Sequence, residues 1–368
     1  MGLQKNIFED ILKFFLERSL SLRFDICTCD KCKATMMLHL LSRFTPHYVD
    51  VSDPRYKEIE QELGKKFYKE IFAAVNEAIN RVSAHAPHAQ GSDKEKEFEM
   101  LLHKIRADRG IDFTQYHTSI LKRRLAPRLL AKKVKSYAEY LEVLARDPEE
   151  YQKLYDVFTI NVSSFFRDSA VWRGIRTVMI KALSKARDKN DSVRIWSAGC
   201  AQGQEPYSLA ILSREIGDFK VPLIIYATDI DRESLKTARS GTYEAADVKS
   251  TMHKLAGGHC VFNLQKYFDF RENKAIVKDE IKQIIEFRTL NLTSQDTIPD
   301  ADIILCRNVF IYFTKPLQER IVDKFYRSLK NGGYFIIGNT ENLVSEAKSV
   351  FREIDAMNRI YQKIGENC

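Results

Sequence analysis

The chain lacks any apolar run long enough to cross a bilayer, and its nearest approach, Phe14 to Leu22, is broken by Glu17 and Arg18. It also lacks the pattern of a secretory signal peptide. These absences argue against a spanning or exported protein, and the expected location is the cytoplasm. Cysteine is sparse: seven occur in 368 residues, three of them crowded into Cys27-Thr28-Cys29-Asp30-Lys31-Cys32 and the rest scattered. That distribution disfavours a disulfide framework and leaves metal ligation or buried thiols. A further gap is local. Between Phe113 and Ala138 no acid occurs among seven Lys or Arg residues, whereas the rest of the chain is balanced, with 51 bases against 50 acids. A merely solvated face mixes signs, so this run implies an acidic partner: nucleic acid phosphates, anionic lipid or an acidic protein surface. With one proline, no glycine and few aromatics in the run, single-stranded nucleic acid is the weaker of these.

What is present begins with helices. The length, with 44% hydrophobic and 29% charged residues, suffices for two or three domains. Residues 1 to 83 read as helical, with Ile7, Ile11, Phe14 and Phe15 on one face and Phe67, Ile71, Val75, Ala78, Ile79 and Val82 repeating at helical spacing. Between them, C-x-C-x-x-C brings Cys27, Cys29 and Cys32 close enough for zinc, with His39 or His47 as candidate fourth ligands; reduced structural thiols are the alternative. Residues 84 to 93, AHAPHAQGSD, read as a linker. Residues 94 to 168 are again helical, with one apolar stripe of Phe98, Leu101, Leu102 and Ile105 and another of Tyr137, Tyr140, Leu141 and Leu144. Within Ser119 to Lys135, Leu121, Leu125 and Leu129 form a buried stripe, and Arg124, Arg128 and Lys132 a basic one, with Arg123 beside it. Pro127 is expected to kink or start a helix there.

The stretch that organises the remainder is Val193 to Ser208, VRIWSAGCAQGQEPYS. Val193 to Trp196 suit a buried strand, Gly199 and Gly203 permit a sharp turn and close approach to a ligand, and Glu205-Pro206 can open a helix. No Gly-Lys-Ser/Thr follows, and an acid two residues past the second glycine would repel a pyrophosphate. It suits a cationic ligand with ribose hydroxyls, such as S-adenosylmethionine; the alternative is an acid that caps the helix. Strands and helices then alternate, which predicts a parallel sheet with crossover helices. Strands are expected at Leu223 to Thr228, Ile284 to Leu292, Ala301 to Cys306, Tyr334 to Gly338 and Met357 to Ile364, with helices at Arg232 to Arg239 and Pro316 to Leu329. Glu205, Asp229, Asn291 and Asn308 all fall at or just past strand ends, the ligand edge of such sheets. Tyr243 to Ile281 breaks the alternation and reads as an inserted hairpin-like subdomain.

The front segment, with its cysteine run and Pro46-His47-Tyr48-Val49, is similar to the late competence protein ComFB family. That resemblance implies a helical dimerising module, zinc at Cys27, Cys29 and Cys32, and, in some members, cyclic di-GMP as ligand. From about Lys94 onward, NVSSFFRD, RIWSAGCAQGQEPYSLA, ATDIDRESLKTARSGTY and CRNVFIYF…GG…IIGNTE resemble the chemotaxis receptor methyltransferase (CheR) family. The resemblance implies a Rossmann-like class I S-adenosylmethionine methyltransferase (residues 169 to 368) with a small antiparallel β insertion, after two helical domains. Its implied activity is methylation of glutamates on chemoreceptor cytoplasmic domains, leaving S-adenosylhomocysteine. It points to Asn161, Ser163, Arg167, Glu205, Asp229, Asn291, Leu292, Arg307 and Asn308 around the cofactor, with Arg167 and Tyr312 nearest the chemistry. The basic residues Arg123, Arg124, Arg128 and Lys132 then face glutamate-rich receptor helices, and neither nucleic acid nor membrane insertion is expected. Gln204 stands where some members have glutamate. Phe268 to Ala275, FDFRENKA, lacks the glycine-rich loop of members that tether to a receptor's C-terminal peptide, so peptide-independent binding is expected. A regulatory protein that only senses cofactor and second messenger is the alternative, against which the retained Arg167 and Tyr312 speak.

Overall fold

The computed structural model describes residues 4–21, 26, 29–84, 91–159, 163–217, 220–256 and 263–365, without the side chains of residues 21, 84, 91–93 and 256. Two compact units result: 1–114 with 118–158, and 115–117 with 159–368.

The first unit is helical. Strand β1 (Gln4–Asn6) leads into α1 (Ile7–Ser21) and α2 (Asp30–Leu41), and β1 pairs antiparallel with β2 (Tyr48–Asp50). Helices α3 (Tyr56–Lys66) and α4 (Tyr68–Ala84) follow. Ile7, Ile11, Leu12 and Leu16 bury against Ile71, Val75 and Ile79. Phe14, expected on that face, is 56% exposed because the buried stripe of α1 runs through Phe8, Leu12 and Leu16 instead. Helix α5 (Gly91–Arg109) begins inside the expected linker 84–93. Helices α6 (Thr118–Ala131), α7 (Tyr137–Arg146) and α8 (Glu150–Phe158) complete the unit.

Helix α6 runs continuously through Pro127, whose ring is exposed, and buries Leu121, Leu125 and Leu129 as expected. Its basic stripe does not stand bare. Arg128 donates from Nε and Nη2 to Glu150 at 2.8 and 2.6 Å, and Glu150 is fully buried. Lys132 bonds Asp147 at 2.8 Å and lies 3.1 Å from Glu150, while Arg124 donates to the Phe158 carbonyl at 3.2 Å. Of the four expected substrate contacts only Arg123 is exposed. The acids that answer the stripe come from α8 and the loop before it, which is why the run itself contains none. Arg128 and Tyr140, which also donates to Glu150, hold its carboxyl below the ordinary value against the opposing pull of burial.

The second unit carries the sheet. In chain order it comprises α9 (Val171–Lys189), β3 (Val193–Ala198), α10 (Gln204–Ile216), β4 (Leu223–Asp229), α11 (Arg232–Ser240), β5 (Thr242–Glu244), α12 (Ala245–Ala256), β6 (Phe268–Arg271), β7 (Lys274–Val277), α13 (Asp279–Lys282), β8 (Ile285–Thr289), β9 (Ala301–Cys306), α14 (Lys315–Ser328), β10 (Leu329–Ile337), β11 (Phe351–Asp355) and β12 (Ile360–Lys363). The seven-stranded sheet has the order β11-β12-β10-β9-β3-β4-β8, parallel except at β12, which runs antiparallel to both neighbours. The strand order reverses beside β3, the place where open α/β sheets form a ligand crevice. Strands β3 and β9 are apolar on both faces because two clusters cover the sheet, one around Trp172, Ile195 and Ile211, the other around Trp196, Ile304 and Phe325. Strands β5, β7 and β6 form a separate antiparallel sheet, one strand more than the expected hairpin. Arg128→Met leaves the buried Glu150 charge to Lys132 and the Tyr140 hydroxyl, and loss of one partner of a buried pair typically costs up to about 3–5 kcal/mol. The urea midpoint of the full chain is expected to fall clearly; an unchanged midpoint would show that the pair contributes nothing.

Candidate active site

The turn after β3 has no room for larger residues. Gly199 lies at φ +77°, and an added Cβ would come within 2.6 Å of Val309 Cγ2. Gly203, at φ +93°, opens α10, and a Cβ there would meet the Ala238 main chain at 3.1 Å. The Glu205 carboxylate does not cap the helix. It accepts from Ser197 Oγ at 2.8 Å and from Arg307 Nη1 at 3.3 Å.

Arg307 follows β9 and its side chain is 2% exposed. Besides Glu205 it donates from Nη2 to Asp168 Oδ2 at 2.9 Å and to the Arg167 carbonyl at 3.1 Å. Arg167 therefore sits on a fixed loop. Phe166 and Asp168 on either side of it have left-handed φ of 50° and 56°, Trp172 Nε1 donates to the Arg167 carbonyl at 2.9 Å, and the Phe166 N–H donates to Ser208 Oγ at 2.9 Å. Phe165 locks the same loop against Tyr243 and Phe268, with ring centroids 4.9 and 5.2 Å away.

Asp229 ends β4 and is buried. Its two oxygens accept from the Ala201 and Asp231 N–H groups at 2.8 and 2.9 Å. Burial nevertheless raises its carboxyl above the ordinary value. Past β8, Asn291 Oδ1 accepts from Thr293 N and Oγ1, both at 2.9 Å, and so shapes the loop rather than pointing every polar atom at a ligand. Lys324, half-buried and with its pKa lowered by that burial, donates to the carbonyls of Leu292 (2.8 Å), Ser294 and Asp296 (3.1 Å), pinning the same loop from α14. After β9, Asn308 takes φ +60°, and its N–H donates to Glu341 Oε2 at 2.8 Å. Glu341 also accepts from the Gly338 N–H at 2.6 Å and the Ile311 N–H at 3.3 Å. Burial raises its carboxyl as well. Tyr312 is half-buried and packs on the second core cluster.

The structure thus draws Arg167, Glu205 and Arg307 into one bonded group, and puts Asp229, Asn291, Leu292 and Asn308 on the C-terminal rim of the sheet. Ser163 is half-buried at the start of the 163–168 loop, and Asn161 lies outside the described residues. Sequence reasoning missed Glu341 and Lys324. Glu341 left a signal, an acid just past the apolar strand FII, whereas Lys324 looks like any surface base of an amphipathic helix. Among the described residues, Gln204 Oε1, Arg307 Nε, Asn308 Oδ1 and Asn339 Oδ1 are buried and find no hydrogen-bond partner. Orphaned polar atoms beside buried carboxylates fit a polar, cationic ligand such as S-adenosylmethionine. Cys27 lies outside the described residues, Cys32 is buried in the core, Cys29 accepts from the Cys32 N–H at the start of α2, and no group of three metal-ligating side chains forms among the described residues. The expected zinc set of Cys27, Cys29 and Cys32 includes a residue outside those described.

Strand order, glycine turn and acidic rim define a class I S-adenosylmethionine methyltransferase. Comparison with known families places the chain more closely. Residues 161–360 match the CheR methyltransferase SAM-binding domain, 96–159 the CheR all-alpha domain, and 5–86 the late competence development protein ComFB. The chain is 33% identical over 257 residues to chemotaxis protein methyltransferase 2 of Pseudomonas aeruginosa, covering 68% of this chain and 87% of that one. It is 30% identical over 256 residues to a chemotaxis protein methyltransferase of Listeria innocua, covering 69% and 93%. Among solved structures it overlaps in part with StiE O-MT residues 942-1257, at 15% identity and a TM-score of 0.29, over 50% of this chain and 52% of that one. This chain belongs to the CheR methyltransferase family and is a methyltransferase.

Gly199→Ala adds a Cβ inside the Val309 side chain at a φ that disfavours it, and is expected to lower the melting temperature and abolish S-adenosylhomocysteine binding. Val309→Ala in the same chain should recover part of the stability. A Gly199→Ala protein that melts and binds as the parent does would refute the tight turn.

Proposed function

We propose that the chain transfers the methyl group of S-adenosylmethionine to glutamate side chains on the cytoplasmic domains of chemoreceptors. The observation that carries the reading is the bonded group of Glu205, Arg307 and the Arg167 loop on the ligand edge of the sheet. The ligand, when bound, supplies a methyl group activated by its sulfonium charge. Glu205 and Asp229 would answer its positive charge and its ribose hydroxyls; Asn161, Ser163, Asn291, Leu292 and Asn308 would complete the cradle. Arg307 acts one step back, because its Nη atoms are already committed to Glu205, Asp168 and Arg167. A glutamate carboxylate is ionised at neutral pH, so no general base is required. What the chain must supply is orientation and exclusion of water. The Arg167 guanidinium suits bidentate capture of the target carboxylate, and the Tyr312 hydroxyl can donate one hydrogen bond to it. Of the basic helix, Arg123 is exposed and suits an acidic receptor helix, as do Lys133 and Lys135.

Labelled methyl is expected to pass to a chemoreceptor cytoplasmic fragment and to fall at least about a hundredfold in Arg167→Ala. Transfer that survives the substitution undamaged would refute the role of Arg167; no transfer by the parent protein would favour the sensing alternative. Because burial raises the Asp229 carboxyl, it protonates at a higher pH than an exposed aspartate does. Affinity for S-adenosylhomocysteine should therefore decline as pH falls, earlier than an ordinary carboxylate would allow. A flat affinity down to pH 4 would contradict the assignment.

The front module is read as a receiver of cyclic di-GMP and as a contact between two copies of the chain. A groove of about 710 Å³, lined in part by Phe44, Phe67, Arg43, Lys66 and His47, offers rings for bases and cations for phosphates, although Arg43 is paired with Glu77. Calorimetric titration of cyclic di-GMP into the full chain should show saturable binding, lost in Lys66→Glu; no heat in the parent protein would end this reading.

A further inference from the structure

Three residues placed between α5 and α6 in sequence, Gln115–His117, belong to the second unit. They lie outside residues 161–360, the span of the SAM-binding domain match, yet they grip the segment that carries Tyr312. The His117 N–H donates to the Tyr312 carbonyl at 2.9 Å. The Gln115 carbonyl accepts from the Thr314 N–H at 3.0 Å and from Thr314 Oγ1 at 2.9 Å. Between these bonds Tyr116 bridges Phe313 antiparallel, with the two rings edge to face at 5.0 Å. Arg320 adds a bond to the Gln115 side chain.

Further supports, among the described residues, act elsewhere along this segment. Glu341 holds the N–H groups of Asn308 and Ile311, and Gln318 Nε2 donates to the carbonyls of Phe310 and Phe313 at 2.9 and 3.0 Å. The turn Phe310–Tyr312 is a single turn of 3₁₀ helix, and the Tyr312 N–H is used within it, bonding the Val309 carbonyl at 3.1 Å. Main-chain bonds on both sides of residue 313 make a short piece of sheet, which fixes the direction of the chain through Tyr312 better than one turn of helix can.

We infer that Gln115–His117 is a strap that positions Tyr312 for methyl transfer, with His117 and Thr314 as positioning residues. The inference rests on the reading of Tyr312 as a group that touches the substrate carboxylate. The cofactor cradle is held by other bonds, those of Arg307, Glu341 and the Asp229 turn. Loss of the strap should therefore slow turnover and spare cofactor affinity.

The test uses the full chain, labelled S-adenosylmethionine and a chemoreceptor cytoplasmic fragment, with calorimetry of S-adenosylhomocysteine alongside. His117→Pro removes the N–H that bonds Tyr312 and suits the extended Tyr116 before it. It is expected to lower kcat about tenfold while the dissociation constant for S-adenosylhomocysteine stays within about twofold. Combined with Tyr312→Phe, it should add little, since it acts through that tyrosine. Should His117→Pro fail to fold, Thr314→Val removes one of the bonds to Gln115; a kcat loss of about threefold that Thr314→Ser restores supports the strap. An unchanged kcat in the folded strap variants, or kcat and affinity falling together, overturns it while the reading of Tyr312 stands if Tyr312→Phe alone is slow. Full activity in Tyr312→Phe refutes that reading, and the strap's role with it.

Discussion

The Arg307 guanidinium, with its side chain 2% exposed, is shared between the carboxylates of Glu205 and Asp168 and the carbonyl of Arg167, so the ends of β9 and α10 and the 163–168 loop meet at one charge. A buried guanidinium without partners would be untenable, and removal of one partner from a buried pair typically costs about 3–5 kcal/mol. The group is therefore weak evidence for stability and good evidence for geometry. It fixes where an acid can face a cationic ligand and where Arg167 leaves the main chain.

Strained backbone nearby is held by polar contacts of the same kind. Phe166, Asp168, Ala201 and Asn308 all take left-handed φ, which for residues other than glycine costs about 1–3 kcal/mol each. Each has a bonded neighbour that opposes relaxation: Ser208 for Phe166, Arg307 for Asp168, Asp229 for Ala201 and Glu341 for Asn308. Carboxylates and the guanidinium thus serve as braces, and the raised carboxyls of Asp229 and Glu341 follow from burying such braces.

Much of this was legible in the residues. Strands buried on both faces leave unbroken apolar runs, so VRIWSA, LIIYATD and ADIILC stand out, and the glycine turn announced itself by spacing. Edge elements did not. Phe351–Asp355 has one buried position followed by three exposed and one half-buried, and β5 is three residues long, so neither carries a periodic signal. Partners distant in sequence were equally hidden. Nothing around Arg128 points to Glu150, and nothing around Tyr312 points to Tyr116. Helix α1 shows the limit of periodicity itself: Phe14 and Leu16 are both apolar, and only packing decides that Leu16 goes inside.

The account depends on a ligand rim whose acid is oriented by Arg307. Calorimetric titration of S-adenosylhomocysteine into the parent protein and into Arg307→Met probes this most directly. The parent should bind at one site per chain, and the variant, if folded, should bind at least about tenfold more weakly, since Glu205 and the Arg167 loop lose their common anchor. Equal affinity in the two proteins would contradict the account.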